Sequence, residues 1–205
     1  MPVAISVVIP TYNRADLLVR ALRSVQSQTF TDWEIIVVDD GGTDHTPDVI
    51  PSTVQYIYQA NAGPGAARNN GIQHATGEYI SLLDSDDEYL PEHLATRLAI
   101  LKRENVDLLA GGFSVTGAKR AVVDFYDPSK LVDLEECVVG GSFFGKREVF
   151  QNVPFGDLRY GEDTQFWIDA QRRYRTFFVR EPKTYLLHET AGSLRLDKLT
   201  EFPQS

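Results

Sequence analysis

Three short polar clusters each stand directly behind an apolar run. Pro10-Thr11-Tyr12-Asn13-Arg14 follows VAISVVI, Asp39-Asp40 follows EIIVV, and Asp84-Ser85-Asp86-Asp87 follows EYISLL. Asp and Asn favour turns and helix caps, so one such cluster alone can be a turn and nothing more. Three at the carboxyl ends of strands in one parallel sheet share an edge, and that edge is where open parallel sheets bind ligands. Carboxylates gathered there repel one another unless a cation pairs with them. An all-oxygen set suits a hard divalent ion, Mg2+ or Mn2+, which also bridges a diphosphate. On a tight turn, Asp84-Ser85-Asp86 aims two carboxylates the same way past a small central residue.

What is missing beside the first cluster narrows the chemistry. A dinucleotide-binding turn carries G-x-G-x-x-G at that place, and this chain has P-T-Y-N-R. The later GPGAARNNG fits neither that pattern nor a P-loop. A nucleotidyltransferase making sugar nucleotides is expected to have a glycine-rich loop with a basic residue after its first strand, and none is present. A nucleotide bound here is expected to be held by side chains and a metal ion.

The elements that must position these clusters follow from periodicity. Val3 to Ile9 reads as a strand buried on both faces and ended by Pro10. Asn13 is expected to cap a helix bearing Leu18, Leu22 and Val25. Further strands are expected at Glu34 to Val38, Val54 to Tyr58 and Glu78 to Leu83. Between the last two, NAGPGAARNNGIQHATG reads as a glycine-rich loop entering a helix that Gly77 ends. Pro91 opens a helix with Leu94, Leu98 and Leu101 on one face. Beyond residue 105 come strand-like pieces (VDLLAGGF, AVVDFY, GGSFFG), a helix over Glu162 to Tyr174, and two closing strands, TFFVR and TYLLH. Strand–helix alternation with short connections predicts an α/β fold, with a mainly parallel central sheet flanked by helices and a smaller mixed or antiparallel second half. One domain over residues 1–205 is expected, with a nucleotide-binding half (1–105) and an acceptor and base half (106–205).

The 205 residues carry 20 Lys and Arg against 29 Asp and Glu, a formal net charge of −9. That surplus argues against a partner that is a nucleic acid or an anionic membrane surface. Cys137 is the sole cysteine, so an intramolecular disulfide or a cysteine-built zinc site is excluded, and it reads as a small core residue. No basic segment precedes the N-terminal apolar run, and no stretch reaches 18 apolar residues. A cytoplasmic location and no membrane span are expected.

Taken in order and spacing, SVVIPTYNR, IIVVDDGGTD, NAGPGAARNNGI, GEYISLLDSDD and YGEDTQFW resemble a family 2 glycosyltransferase of the A-type fold, over residues 3 to about 190. The resemblance implies that Pro10, Tyr12 and Arg14 pack around the base and ribose. It implies that Asp39 meets uracil, that Asp40 supports the same loop and that Arg68 lies near the diphosphate. Of the Asp84-Ser85-Asp86-Asp87 cluster, Asp84 would face the donor and Asp86 with Asp87 the ribose and metal, either being the direct ligand. His188 is a further candidate for the metal or diphosphate, against the plainer reading of a residue at a strand end.

Glu162 and Asp163 fall where inverting members place the catalytic base. One of them can be a helix cap instead, since acids in a first helical turn interact favourably with the helix dipole by about 0.3–1 kcal/mol. Asp163 is the preferred base. Arg172, Arg173 and Arg175 read as a solvated helix end, His45, His74 and His93 as structural or exposed, and Trp33 and Trp167 as core. The sequence has Gly41-Gly42 where the family commonly has Gly-Ser, which is expected to loosen that loop.

The resemblance therefore implies a metal-dependent inverting transferase using Mn2+ or Mg2+. It would move a sugar from a UDP-linked donor to a hydroxyl of a glycan, lipid-linked or protein-linked acceptor. The alternative is a non-catalytic nucleotide-sugar or carbohydrate-binding protein on the same scaffold. No polymer-extruding apparatus is visible. A complete small enzyme, a module of a larger protein and a homo-oligomer are all open. Acceptor specificity is expected to rest on residues 110–160 and the C-terminal tail.

Overall fold

The computed structural model describes residues 3–117, 121–124, 127, 129–158 and 161–189. Tyr160 of the YGEDTQFW segment, Phe125 and Tyr126 of AVVDFY, and the tail from residue 190 lie outside the described residues. In chain order the elements are β1 (Ile5–Thr11), α1 (Ala15–Gln26), β2 (Trp33–Asp40), α2 (Thr46–Val49), β3 (Gln55–Gln59), α3 (Pro64–His74), β4 (Tyr79–Leu82), β5 (Glu88–Tyr89) and α4 (His93–Glu104). There follow β6 (Leu108–Gly111), β7 (Phe113–Thr116), β8 (Ala121–Val123), β9 (Leu131–Asp133), β10 (Phe144–Lys146), α5 (Arg147–Asn152), α6 (Glu162–Gln171), β11 (Thr176–Val179) and β12 (Tyr185–His188).

Seven strands form one sheet in the order β11-β6-β10-β4-β1-β2-β3. All run the same way except β10, which is antiparallel to both β4 and β6. The mainly parallel sheet is thus present, and strands from both halves of the chain build it. Its faces carry separate cores. Ile5, Val7 and Ile9 of β1 pack with α1 and α4, whereas Val8, Ile36, Val38 and Ile80 pack with α3, α5 and α6. Period-two alternation of side chains in a strand produces this division, and burial on both faces explains the unbroken apolar runs. A small sheet, β5-β12-β7, and a hairpin, β8–β9, stand beside the large one.

Several boundaries differ from the sequence expectations, each for a local reason. Pro10 does not end β1 but pairs in register with Val38. Leu83 N–H donates to the Val8 carbonyl, so alternate residues of β1 turn their backbone groups toward β4, whose pairing stops at Val8–Leu82. The N–H that Pro10 lacks would point past the end of that ladder, where no strand waits for it. Asn13 does not cap α1. It sits at φ 51°, and its Oδ1 accepts from Thr43 N–H, while Asp44 reaches across to cap Ala15 N–H at 2.9 Å. The Gly41-Gly42 loop is consequently tied down rather than loosened, with Gly42 N–H also donating to Asp39.

Pro91 precedes α4 by two residues, α3 ends at His74 ahead of Gly77, and α6 ends at Gln171 rather than Tyr174. VDLLAGGF is not one strand, because Gly111 and Gly112 at φ 82° and 66° turn the chain from β6 into β7 and so into another sheet. Among the described residues no helix is long and apolar enough to cross a membrane.

Candidate active site

At the carboxyl ends of β1 and β4 opens a cavity of about 1160 Å³. One wall comprises Pro10, Tyr12 and Arg14 after β1, Asp40 at the end of β2, the start of α3 and the Asp84-Ser85-Asp86 turn. The other wall comprises Gly140, the β8–β9 hairpin, and Glu162, Asp163 and Trp167 of α6. The fold therefore brings most of the expected residues to one crevice, as the strand-end positions require.

Arg68 joins the walls. It is buried on α3, and its guanidinium donates to Asp84 Oδ1 at 2.8 Å and to Glu162 Oε1 at 2.9 Å. Burial opposes its charge, but the two carboxylates outweigh burial and hold it firmly protonated. Arg14 Nη1 lies 2.7 Å from Asp86 Oδ2, and the Asp86 carbonyl accepts from Arg20. Ser85 is buried between the two aspartates. Asp40 accepts from Gln59 and from the Ala62 and Gly63 N–H groups, which fixes the loop ahead of α3. Tyr12 stands half exposed at the mouth.

Three expected residues lie off the cavity wall. Asp39 is buried, with Oδ2 accepting from the Tyr56 hydroxyl and Oδ1 from Gly42 N–H. Asp87 is fully buried, taking the Tyr185 hydroxyl at 2.6 Å and the His188 N–H at 2.7 Å. Burial, then the charges of Asp84 and Asp86, push its carboxyl well above the usual carboxylate range. His188 has both ring nitrogens engaged, Nδ1 with Thr116 Oγ1 and Nε2 with Glu88 Oε1. The carboxylates of the cluster that face the cavity are Asp84 and Asp86.

Asp163 accepts from Gly140 N–H at 3.1 Å and Thr164 N–H at 2.7 Å. Burial, and after it the neighbouring Glu162, push its carboxyl up to about 6. Trp167 is core, as expected, stacked on Phe143 and also lining the cavity, whereas Trp33 is partly buried and packs against the core. His93 is buried and stacked on Tyr89, while His45 and His74 are exposed. Cys137 is half-buried on the cavity wall rather than in the core. Arg172 pairs with Asp169, and Arg175 with Asp107. Sequence reasoning missed Tyr56, Tyr185 and Gly140, because each acts through a partner far away in the chain and no motif marks it.

Among the described residues no three His, Cys, Asp or Glu side chains form a group that could hold a metal ion. Mg2+ and Mn2+ sites at phosphate substrates need no such group, since one or two carboxylates suffice when phosphates and water complete the shell. Asp84 and Asp86, hard oxygen donors side by side on the wall, fit a site of that kind.

A family model, Glycosyl transferase family 2, matches residues 6–156. An uncharacterized glycosyltransferase of Nostoc sp. is 43% identical over 201 residues, covering 88% of this chain and 61% of that protein. The GalNAc(5)-diNAcBac-PP-undecaprenol beta-1,3-glucosyltransferase of Campylobacter jejuni is 29% identical, covering 86% of this chain and 62% of the relative. Among solved structures, S. aureus TarS 1-349 in complex with UDP-GlcNAc superposes with a TM-score of 0.75 at 23% identity, over 93% of this chain and 60% of that one. The mannosyltransferase PcManGT from Pyrobaculum calidifontis, in complex with GDP-Man and Mn2+, gives 0.69 at 21% identity, over 95% of this chain and 59% of that one. This chain thus spans less than two thirds of each of these four. The fold is that of the A-type glycosyltransferases, and the chain belongs to glycosyl transferase family 2.

Proposed function

We propose that the protein is a metal-dependent, inverting glycosyltransferase that moves one sugar from a UDP-linked donor to an acceptor hydroxyl on a glycan, lipid-linked or protein-linked acceptor. The observation that carries this reading is a single cavity with the Asp84-Ser85-Asp86 turn on one wall and Asp163 on the other, Arg68 spanning the two. Related proteins support its terms: TarS is seen with UDP-GlcNAc, PcManGT with GDP-Man and Mn2+, and the C. jejuni relative is named for an undecaprenol-linked substrate.

In this reading Pro10 and Tyr12 pack against base and ribose. Asp39 orders the base-binding loop through Tyr56 and Gly42, and Asp40 shapes the approach to α3, whose N-terminus favours a diphosphate. Asp86, with Asp84 beside it, would hold Mn2+ or Mg2+, which when bound offsets the charge of the departing nucleotide diphosphate. Arg14 and Arg68 add positive charge at the same wall. Asp87 and His188 brace the turn from behind.

Inversion requires the acceptor oxygen to attack from the face opposite the nucleotide, and a base must take its proton. Asp163 is that base. Glu162 is engaged in an ion pair with Arg68, whereas Asp163 takes backbone N–H groups and is raised by burial to about 6.

A panel of nucleotide sugars with Mn2+ or Mg2+, followed by donor hydrolysis and by thermal stabilisation, tests the reading. One donor is expected to stabilise the protein and to turn over, with turnover lost in Asp86→Ala. Binding without turnover, unchanged in Asp163→Asn, would instead favour a non-catalytic binding protein.

A further inference from the structure

One set of contacts outside the roles given above joins the two walls of the cavity. Tyr185 of β12 is fully buried, and its hydroxyl donates to Asp87 Oδ2 at 2.6 Å while accepting from the Asp84 N–H at 3.4 Å. Gly141 lies against that same hydroxyl. A Cβ there would stand 2.1 Å from the Tyr185 oxygen, too close without displacement, and 3.1 Å from Asp84 Cγ, a tight contact. Gly140 stands in the same relation to Arg68, where a Cβ would fall 2.8 Å from Nη2. The Gly140 N–H in turn donates to Asp163 Oδ2 at 3.1 Å. A turn without side chains is therefore clamped between the Arg68 guanidinium and the Tyr185 hydroxyl. The donor-side carboxylates lie on one flank and Asp163 on the other.

We propose that Tyr185 and Gly141 are positioning residues, which seat the Asp84–Asp87 turn directly on the Gly140–Gly141 turn and so set the distance between donor and base. The inference rests on the reading of Asp163 as base. The two turns come from chain segments more than fifty residues apart and share no strand pairing, since β10 meets β4 only at Tyr79, Ile80 and Ser81. Beyond Ser81 their separation depends on side-chain and backbone contacts, and the Tyr185 hydroxyl and Arg68 Nη2 each touch both turns. Because a misplacement of about 1 Å in a reacting group costs on the order of 10²-fold in rate, this contact bears on turnover more than on donor affinity.

Three variants test it: Gly141→Ala, Tyr185→Phe and the two combined. Each is assayed for hydrolysis of a donor that the wild type turns over, with rates counted per UDP site titrated by calorimetry, so that unfolded protein does not enter. Gly141→Ala is expected to lower kcat by about 10- to 100-fold and to move the donor KM by less than about threefold. Tyr185→Phe, which only deletes an oxygen, should lower kcat by about tenfold with the donor KM held. In the double variant the shortest approach to the new Cβ eases from 2.1 Å to 2.9 Å, at the ring Cζ, which still requires a small shift, so kcat should recover in part, by at least about threefold over Gly141→Ala alone.

Wild-type kcat per site in both single variants, kcat and KM shifting together, or a double variant no better than Gly141→Ala would each overturn the proposal. A wild-type protein that binds UDP but turns over no donor would strike the enzyme reading itself, and the inference with it.

Discussion

Glu162 and Asp163 are adjacent in sequence, yet the fold gives them different chemistry. Arg68 claims Glu162, while Asp163 meets backbone N–H groups from Gly140 and Thr164. With its carboxyl raised to about 6 by burial and by Glu162, Asp163 is protonated below that pH and ionised above it. Only the ionised form accepts a proton, so kcat/KM is expected to climb with pH through about 6 and then level off, as read from a pH–rate profile. Asp163→Asn should lower kcat by about 10²–10⁴-fold and abolish that limb. Glu162→Gln should keep the limb and move it to lower pH, since it removes a like charge that helps hold Asp163 up. Residue types announced the polar clusters, because three of them behind strands of one sheet share an edge, where a lone one could be a turn. They did not announce which carboxylates face the cavity. Asp87 is turned inward by a hydroxyl and an N–H lying 98 and 101 positions further along the chain, and nothing local in DSDD records that.

The same contrast between local and remote causes governs the elements. β1, β2, β3 and β4 fall within two residues of where their apolar runs place them, since a strand buried on both faces must be apolar throughout. β10 has three residues, two of them at the end of GGSFFG, and its direction is set by Ser81 on one side and Leu109 on the other. Asp107, at the entrance to β6, fastens that region. It pairs with Lys146 of β10 at 2.8 Å and accepts from the N–H and guanidinium of Arg175, just ahead of β11. Arg175 and then Lys146 hold its carboxyl below the usual carboxylate range. A carboxyl depressed by folding adds stability above its unfolded pKa, and that contribution fades as pH falls through the folded value. Asp107→Asn should therefore destabilise by about 1–2 kcal/mol near pH 7, with a gap to wild type that narrows on acidification below about 4. Urea unfolding at several pH values measures it, and a gap independent of pH would contradict the assignment.

At the scale of the whole molecule, the −9 charge and the proposed pyrophosphate-bearing donor are reconciled by where the acids sit. Asp84 and Asp86 face the cavity beside Arg14 and Arg68, so a divalent ion held there, as proposed, would invert the local field. UDP is expected to raise the melting temperature with Mn2+ present and far less after chelation by EDTA, which differential scanning fluorimetry reads directly. The antiparallel β10 has a different bearing. It fills the slot between β4 and β6, although the chain completes β4 long before it reaches Phe144. Until then β4 shows a bare edge, with N–H and C=O groups that another chain can pair with. A fragment of residues 1–105 is thus expected to aggregate rather than to act as a free-standing nucleotide binder, and size-exclusion chromatography with UDP titration would reveal a soluble, binding-competent fragment if this is mistaken. Donor recognition and base delivery are for the same reason not interchangeable parts. A chimera that keeps residues 1–105 and takes its second half from another family member must import a strand that fits this slot, or leave the sheet open.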